Sequence, residues 1–174
     1  MRVINTGFAG LIIIEPDINA DRQGHDCLFY NQTEIEKYIG EITFVQDNES
    51  CSHKGVIRAF HYQEGIYAQA KLVRVAFGEV QDVVIDLRKE SKTYRKSFSI
   101  ILSSDNHRML YVPRGFAHGI CALRENTVLQ FKCDNYYNKE AERAIPWNDP
   151  FYAIKWILKP STHNLTKETK NIKK

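Results

Sequence analysis

Apolar and polar positions fall into two patterns along this chain. Over roughly the first forty residues, short apolar runs such as Leu11-Ile12-Ile13-Ile14 are cut by turn residues, which predicts strand-sized pieces and one helix. The helix reads from Thr33-Glu34-Ile35-Glu36 as a capping box, with the Thr33 hydroxyl and the Glu36 carboxylate satisfying free backbone donors reciprocally. Gly40 ends it. From Ile42 onward, β-branched and aromatic residues come in runs broken by Gly, Asn, Asp and Ser, the signature of strands. The runs Gln69 to Phe77 and Val80 to Leu87 flank Gly78-Glu79, which predicts a tight hairpin with Gly first in the turn. A second hairpin is predicted around Arg124-Glu125-Asn126. Many short strands with little helix give an all-β sandwich or barrel.

Composition narrows the setting. At 174 residues the chain suffices for one well-buried domain, read as residues 1–160, followed by a lysine-rich tail over 161–174. Hydrophobic residues make up 43% and charged residues 26%, a globular balance. The longest apolar runs are far short of a membrane span. The N-terminus lacks a secretory pattern, so cytoplasmic residence without a membrane partner is expected. Cys27, Cys51, Cys121 and Cys133 show no CxxC pairing and read as reduced, mostly structural thiols. The net charge of +3 is mild. No aromatic interleaving accompanies the basic tail, so it reads as a solvated end and not a nucleic-acid site.

Candidate chemistry begins at His61-Tyr62-Gln63 and Gln69-Ala70-Lys71-Leu72-Val73-Arg74. A neutral imidazole suits proton abstraction near working pH, and a cation in a dry site stabilises a developing enolate oxygen. Lys71 also interrupts an otherwise core-like run. Arg58 lies between Val56-Ile57 and Ala59-Phe60, an apolar setting for a planar donor that suits phosphate. Gln46 and Asn48 share one strand face by two-residue periodicity. Metal-dependent chemistry would want paired histidines and a carboxylate, but the second member of a His-x-His is Gln63 here. No metal and no cofactor are therefore expected.

In order and spacing, Phe44-Val45-Gln46-Asp47-Asn48, the His61 and Lys71 segments, and Pro113-Arg114-Gly115-Phe116-Ala117-His118-Gly119 resemble the deoxysugar-nucleotide 3,5-epimerases. The resemblance runs from about Ile12 to Trp156. It implies a double-stranded β-helix, the cupin-like jelly roll, with a short N-terminal helix and pairing as a homodimer. It further implies a nucleotide-activated 4-keto-6-deoxyhexose as substrate, inverted beside the ketone at C3 alone or at both C3 and C5. By the same resemblance His61 is the base, Lys71 the electrophile, and Arg58 the diphosphate anchor. Gln46, Asn48, His118 and Tyr137 then face the nucleotide sugar, while Tyr136 is read as packing. The same site also suits a 3,4-ketoisomerase or a sugar-nucleotide binding protein without turnover.

Four departures from the family pattern mark the chain. Phe131 stands where the family has a tyrosine acid, which favours action at C3 over double epimerisation. The terminal aspartate that supports the family's histidine is absent, with Glu168 as a shifted candidate. The nucleotide-reaching Asp-x-Arg-Gly-x-Phe becomes Asp21-Arg22-Gln23-Gly24-His25-Asp26, its arginine displaced by one position. Finally, Arg58 and His61 have opposite parity, so both face one site only if a bulge intervenes, and Ala59 replaces a common glycine there.

Overall fold

The computed structural model describes residues 1–159. Strands β1 (Arg2–Asn5), β2 (Ile12–Glu15), β3 (Ile18–Asp21) and β4 (Gly24–Cys27) precede the helix α1 (Gln32–Ile39). Then come β5 (Gln46–Ser52), β6 (Ile57–Gln63), β7 (Lys71–Phe77), β8 (Glu79–Asp86) and β9 (Ser97–Ser103). Strands β10 (Met109–Val112), β11 (Phe116–Ala122), β12 (Thr127–Cys133) and β13 (Glu142–Ala144) complete the order. One sheet runs β1-β2-β10-β7-β12-β5 and the other β13-β6-β11-β8-β9. Two facing antiparallel sheets of this connectivity form the cupin-like jelly roll that the family resemblance implied.

From β5 to β13, every connection except β8 to β9 passes from one sheet to the other. This overturns both predicted hairpins. At Gly78, β7 does not turn back on itself; the chain crosses from the sheet containing β10 and β12 to the one containing β9 and β11. Gly78 has φ +85°, and a Cβ there would lie 2.5 Å from Thr127 Oγ1, so a side chain is excluded by both backbone and space. Around Asn126, with φ 52°, β11 likewise gives way to β12 in the opposite sheet. A short turn between strand-like runs fixes where the chain bends, but the partner each strand finds is set by packing.

Alternation explains the layers. On β7, Val73 and Val75 point between the sheets with Val80, Val84, Leu102, Leu110 and Leu129, while Leu72 faces outward under α1 and the N-terminal segment. On β8, Val83 and Ile85 face the other way and are covered by Trp147, Tyr152 and Trp156. Both faces of β8 are thus buried, as its nearly continuous apolar run requires.

The helix begins earlier than its predicted capping box. Asn31 is the N-cap and accepts from the Glu34 backbone N–H at 3.1 Å, leaving Thr33 inside the first turn. Asn31-x-x-Glu34 offers the same spacing as Thr33-x-x-Glu36, and Glu36 instead accepts from Gln32 Nε2 at 2.9 Å. Gly40 closes the helix as expected, its N–H bonded to Glu36 O. No helix among the described residues is long and apolar enough to cross a membrane.

Candidate active site

The open end of the sandwich holds a cavity of about 490 Å³ between the two sheets, within the usual range for small-molecule sites. One wall is built by β6 and β11, the other by β5, β12 and β7. Arg58, His61 and His118 line the first wall, and Gln46, Asn48, Lys71 and Phe131 the second, with Tyr137 and Glu142 also contributing. Every residue singled out for the site in the described sequence lies on this one cavity. Glu168 and the basic tail lie outside the described residues.

The parity problem between Arg58 and His61 is resolved by a bulge. His61 pairs with His118 and Arg58 with Ile120, so three steps along β6 match two along β11. Ala59 and Phe60 together oppose Gly119 and are both fully buried. Ala59 is not among the residues of positive φ, so alanine meets no backbone penalty there. The glycine that the bulge needs is across the ladder: a Cβ on Gly119 would lie 3.0 Å from the Phe60 ring and 3.1 Å from Arg58 O.

Second partners hold these side chains in place. Arg58 Nε donates to Ser52 Oγ at 3.0 Å and Nη2 to Cys51 O at 3.3 Å, which aims the guanidinium along the β5 side of the cavity. His61 Nδ1 lies 3.4 Å from Glu142 Oε1, and Tyr137 donates its hydroxyl to Glu142 Oε2 at 2.9 Å. His118 Nε2 is 2.8 Å from the fully buried Asp82 Oδ2. Gln63, in place of a second histidine, accepts from the Asn138 N–H at 2.9 Å. Among the described residues no three His, Cys, Asp or Glu side chains gather as a metal-binding group.

On the second wall, neighbouring strands place Gln46, Cys133 and Lys71 in one row, and Asn48, Phe131 and Val73 in the next. Lys71 stands on the inner face with Val73 and Val75, its Nζ 5.7 Å from the Phe131 ring centroid. Burial pushes its pKa below the ordinary lysine range, against the opposing pull of Cys133, Asp82 and Glu142. Burial also pushes the Cys133 thiol up, while Lys71 draws it down.

Sequence reasoning missed Glu142, Asp82, Ser52 and the position of Cys133 on the cavity wall. Asp82 carried a signal, a carboxylate within the apolar run Val80 to Ile85 that needs a buried partner. Glu142 carried none, lying in a polar stretch without periodicity. Tyr136, expected to pack, is 66% exposed. The altered segment Asp21 to Asp26 forms the tip of the exposed β3–β4 ribbon, where Asp21 accepts from the Gln23 and Gly24 N–H groups, and none of it lines this cavity.

Comparison with known proteins meets this geometry directly. The family model of dTDP-4-dehydrorhamnose 3,5-epimerase matches residues 5–173. The chain belongs to the dTDP-4-dehydrorhamnose 3,5-epimerase family. It is 45% identical over 157 residues to the family enzyme of Salmonella typhimurium, covering 90% of this chain and 86% of that one. The Bacillus anthracis dTDP-4-dehydrorhamnose 3,5-epimerase, solved with TDP and PPi bound, superposes with a TM-score of 0.94 at 38% identity, covering 98% and 97% of the two chains. A dTDP-6-deoxy-D-glucose-3,5-epimerase from Legionella pneumophila, in complex with dTDP-4-keto-L-rhamnose, gives a TM-score of 0.91 at 39% identity over 97% and 89%. Membership of this family makes the chain a sugar-nucleotide epimerase of the isomerase class, as the resemblance implied.

Proposed function

We propose that the chain epimerises a nucleotide-activated 4-keto-6-deoxyhexose of the dTDP-4-dehydro-6-deoxyglucose type, at C3 foremost, with His61 as the base. The observation that carries this reading is the opposition of the two walls: an imidazole on one, a half-buried ammonium on the other, and a guanidinium on the imidazole side. A sugar lying between them exposes one ring face to His61 and its 4-keto oxygen to Lys71. His61 removes the α-proton, and the Lys71 charge stabilises the enolate from the opposite wall. Arg58 binds the diphosphate in a fork already oriented by Ser52 and Cys51. Gln46, Asn48, His118 and Tyr137 complete the nucleotide-sugar contacts. The sugar nucleotide bound by the Legionella relative supports the substrate class.

The active unit on this reading is residues 1–160, acting without a cofactor as a cytoplasmic homodimer.

Proton NMR in D2O with dTDP-4-keto-6-deoxyglucose tests the reaction. Loss of the H3 signal ahead of H5 is expected, and His61→Asn should slow both by about 10²–10⁴-fold with the fold intact. Unchanged exchange in that variant would remove His61 as the base, and a shifted carbonyl in the product would indicate ketoisomerisation instead.

A further inference from the structure

Inversion requires a proton to arrive on the sugar face turned away from His61, and the wall on that side has lost the family's phenol. Phe131 has no acidic hydrogen. The Gln46 and Asn48 amides and the Ser50 hydroxyl on β5 are too weakly acidic to serve as general acids near neutral pH. Among the described residues of that wall two acids remain, Lys71 and Cys133, which stand directly opposite each other across the β7–β12 ladder. They differ in reach. The sulfur of Cys133, a residue only 2% exposed, is one bond from Cβ and 3.9 Å from Asn48 Nδ2. The Lys71 side chain is four carbons long and brings its ammonium over the Phe131 ring, the very ring that takes the place of the phenol.

We propose that the Lys71 ammonium is the proton donor to the sugar face opposite His61, taking over the acid role of the missing phenol while also holding the enolate oxygen. This rests on the epimerase reading above. In the step, His61 takes the proton from C3 and the C–H electron pair becomes the enolate. A Lys71 N–H bond then breaks, its proton forms the new C–H bond from the other face, and the carbonyl reforms. Lysine is left as the neutral amine and histidine as imidazolium, and solvent restores both.

Burial lowers the Lys71 pKa, which brings a normally poor acid toward the range where general acids work. The charged groups around it are Asp82 on β8 and Glu142 on β13, with the Cys133 thiol on β12. Across the cavity stand His61, His118 and Arg58.

The test separates exchange from inversion in D2O. Arginine keeps a cation at this position but does not release its proton. Lys71→Arg is therefore expected to retain H3 exchange within about tenfold of wild type while C3 inversion falls about 100-fold or more. Adding Phe131→Tyr to that variant should recover inversion at least about tenfold. Inversion that keeps pace with exchange in Lys71→Arg would overturn the proposal. So would Cys133→Ala losing inversion with exchange retained, which would move the donor to the thiol.

If Lys71→Arg does not fold, the pH dependence of the wild-type protein decides. The ratio of inversion to exchange should drop on raising the pH below the ordinary lysine range, and Phe131→Tyr should remove the drop. A ratio that stays flat across that range overturns the assignment. Absence of any H3 or H5 exchange in the wild-type protein would instead overturn the epimerase reading, and this proposal with it.

Discussion

Lys71 keeps an ammonium on the inner face of a sheet, in line with Val73 and Val75, where burial pushes its pKa down. The folded state thus binds this proton less tightly than the unfolded chain does. Below the folded pKa the full cost of the buried charge is present, and stability rises with pH between the folded and unfolded values. Lys71→Met should accordingly stabilise the fold by about 1–3 kcal/mol below that window, read by thermal unfolding, and flatten the alkaline rise. The same variant should lose epimerisation, because among the described residues it removes the only cation of the β5–β12–β7 wall of the cavity. Site residues of this kind trade stability for function.

Single ladder details decide whether side chains from one strand reach one site. On β6, regular alternation would separate Arg58 from His61, and the bulge across Gly119 brings them together. A methyl group at Gly119 would press on the Phe60 ring at 3.0 Å and on Arg58 O at 3.1 Å. Gly119→Ala is therefore expected to cost about 1–3 kcal/mol and to raise KM for the nucleotide sugar more than it lowers kcat, since Arg58 is displaced first. Steady-state kinetics alongside thermal melts check this. An unchanged KM would show that the bulge tolerates the added carbon.

For the molecule as a whole, acid stability depends on Asp86, fully buried at the end of β8. Burial alone would raise its pKa. Side-chain hydrogen bonds from Arg88, Ser91 and Thr93, with the Arg88 backbone N–H, outweigh burial and hold the carboxyl well below the usual carboxylate range. They also tie the long β8–β9 connection to the sandwich. Because the folded pKa is depressed, this stabilisation is complete above the unfolded value and is lost as pH falls from there toward the folded one. Asp86→Asn should cost about 2–3 kcal/mol near neutral pH and give a shallower loss of stability below about pH 4. Denaturant unfolding at several pH values measures both. An acid limb unchanged from wild type would assign acid sensitivity to other carboxylates.

Sequence alone determined the strand-rich class, the position of the helix within two residues, and the shared face of Gln46 and Asn48; the other residues expected at the cavity came from the family resemblance. It also required a bulge between Arg58 and His61. These follow from local properties: two-residue alternation tells which side chains share a face, and a charged or amide group inside an apolar run marks a place that needs a partner. Tertiary structure decided which strands are neighbours. Alternation around Gly78 and Asn126 is equally compatible with a hairpin and with a crossing between sheets, and only burial of both faces of β8 selects the crossing. The same step brought Glu142 to His61 and Asp82 to His118, and set Lys71 opposite the imidazole. Contacts between residues so distant in the chain arise from which strands pair within a sheet and how the two sheets close over one core, and no local pattern encodes them.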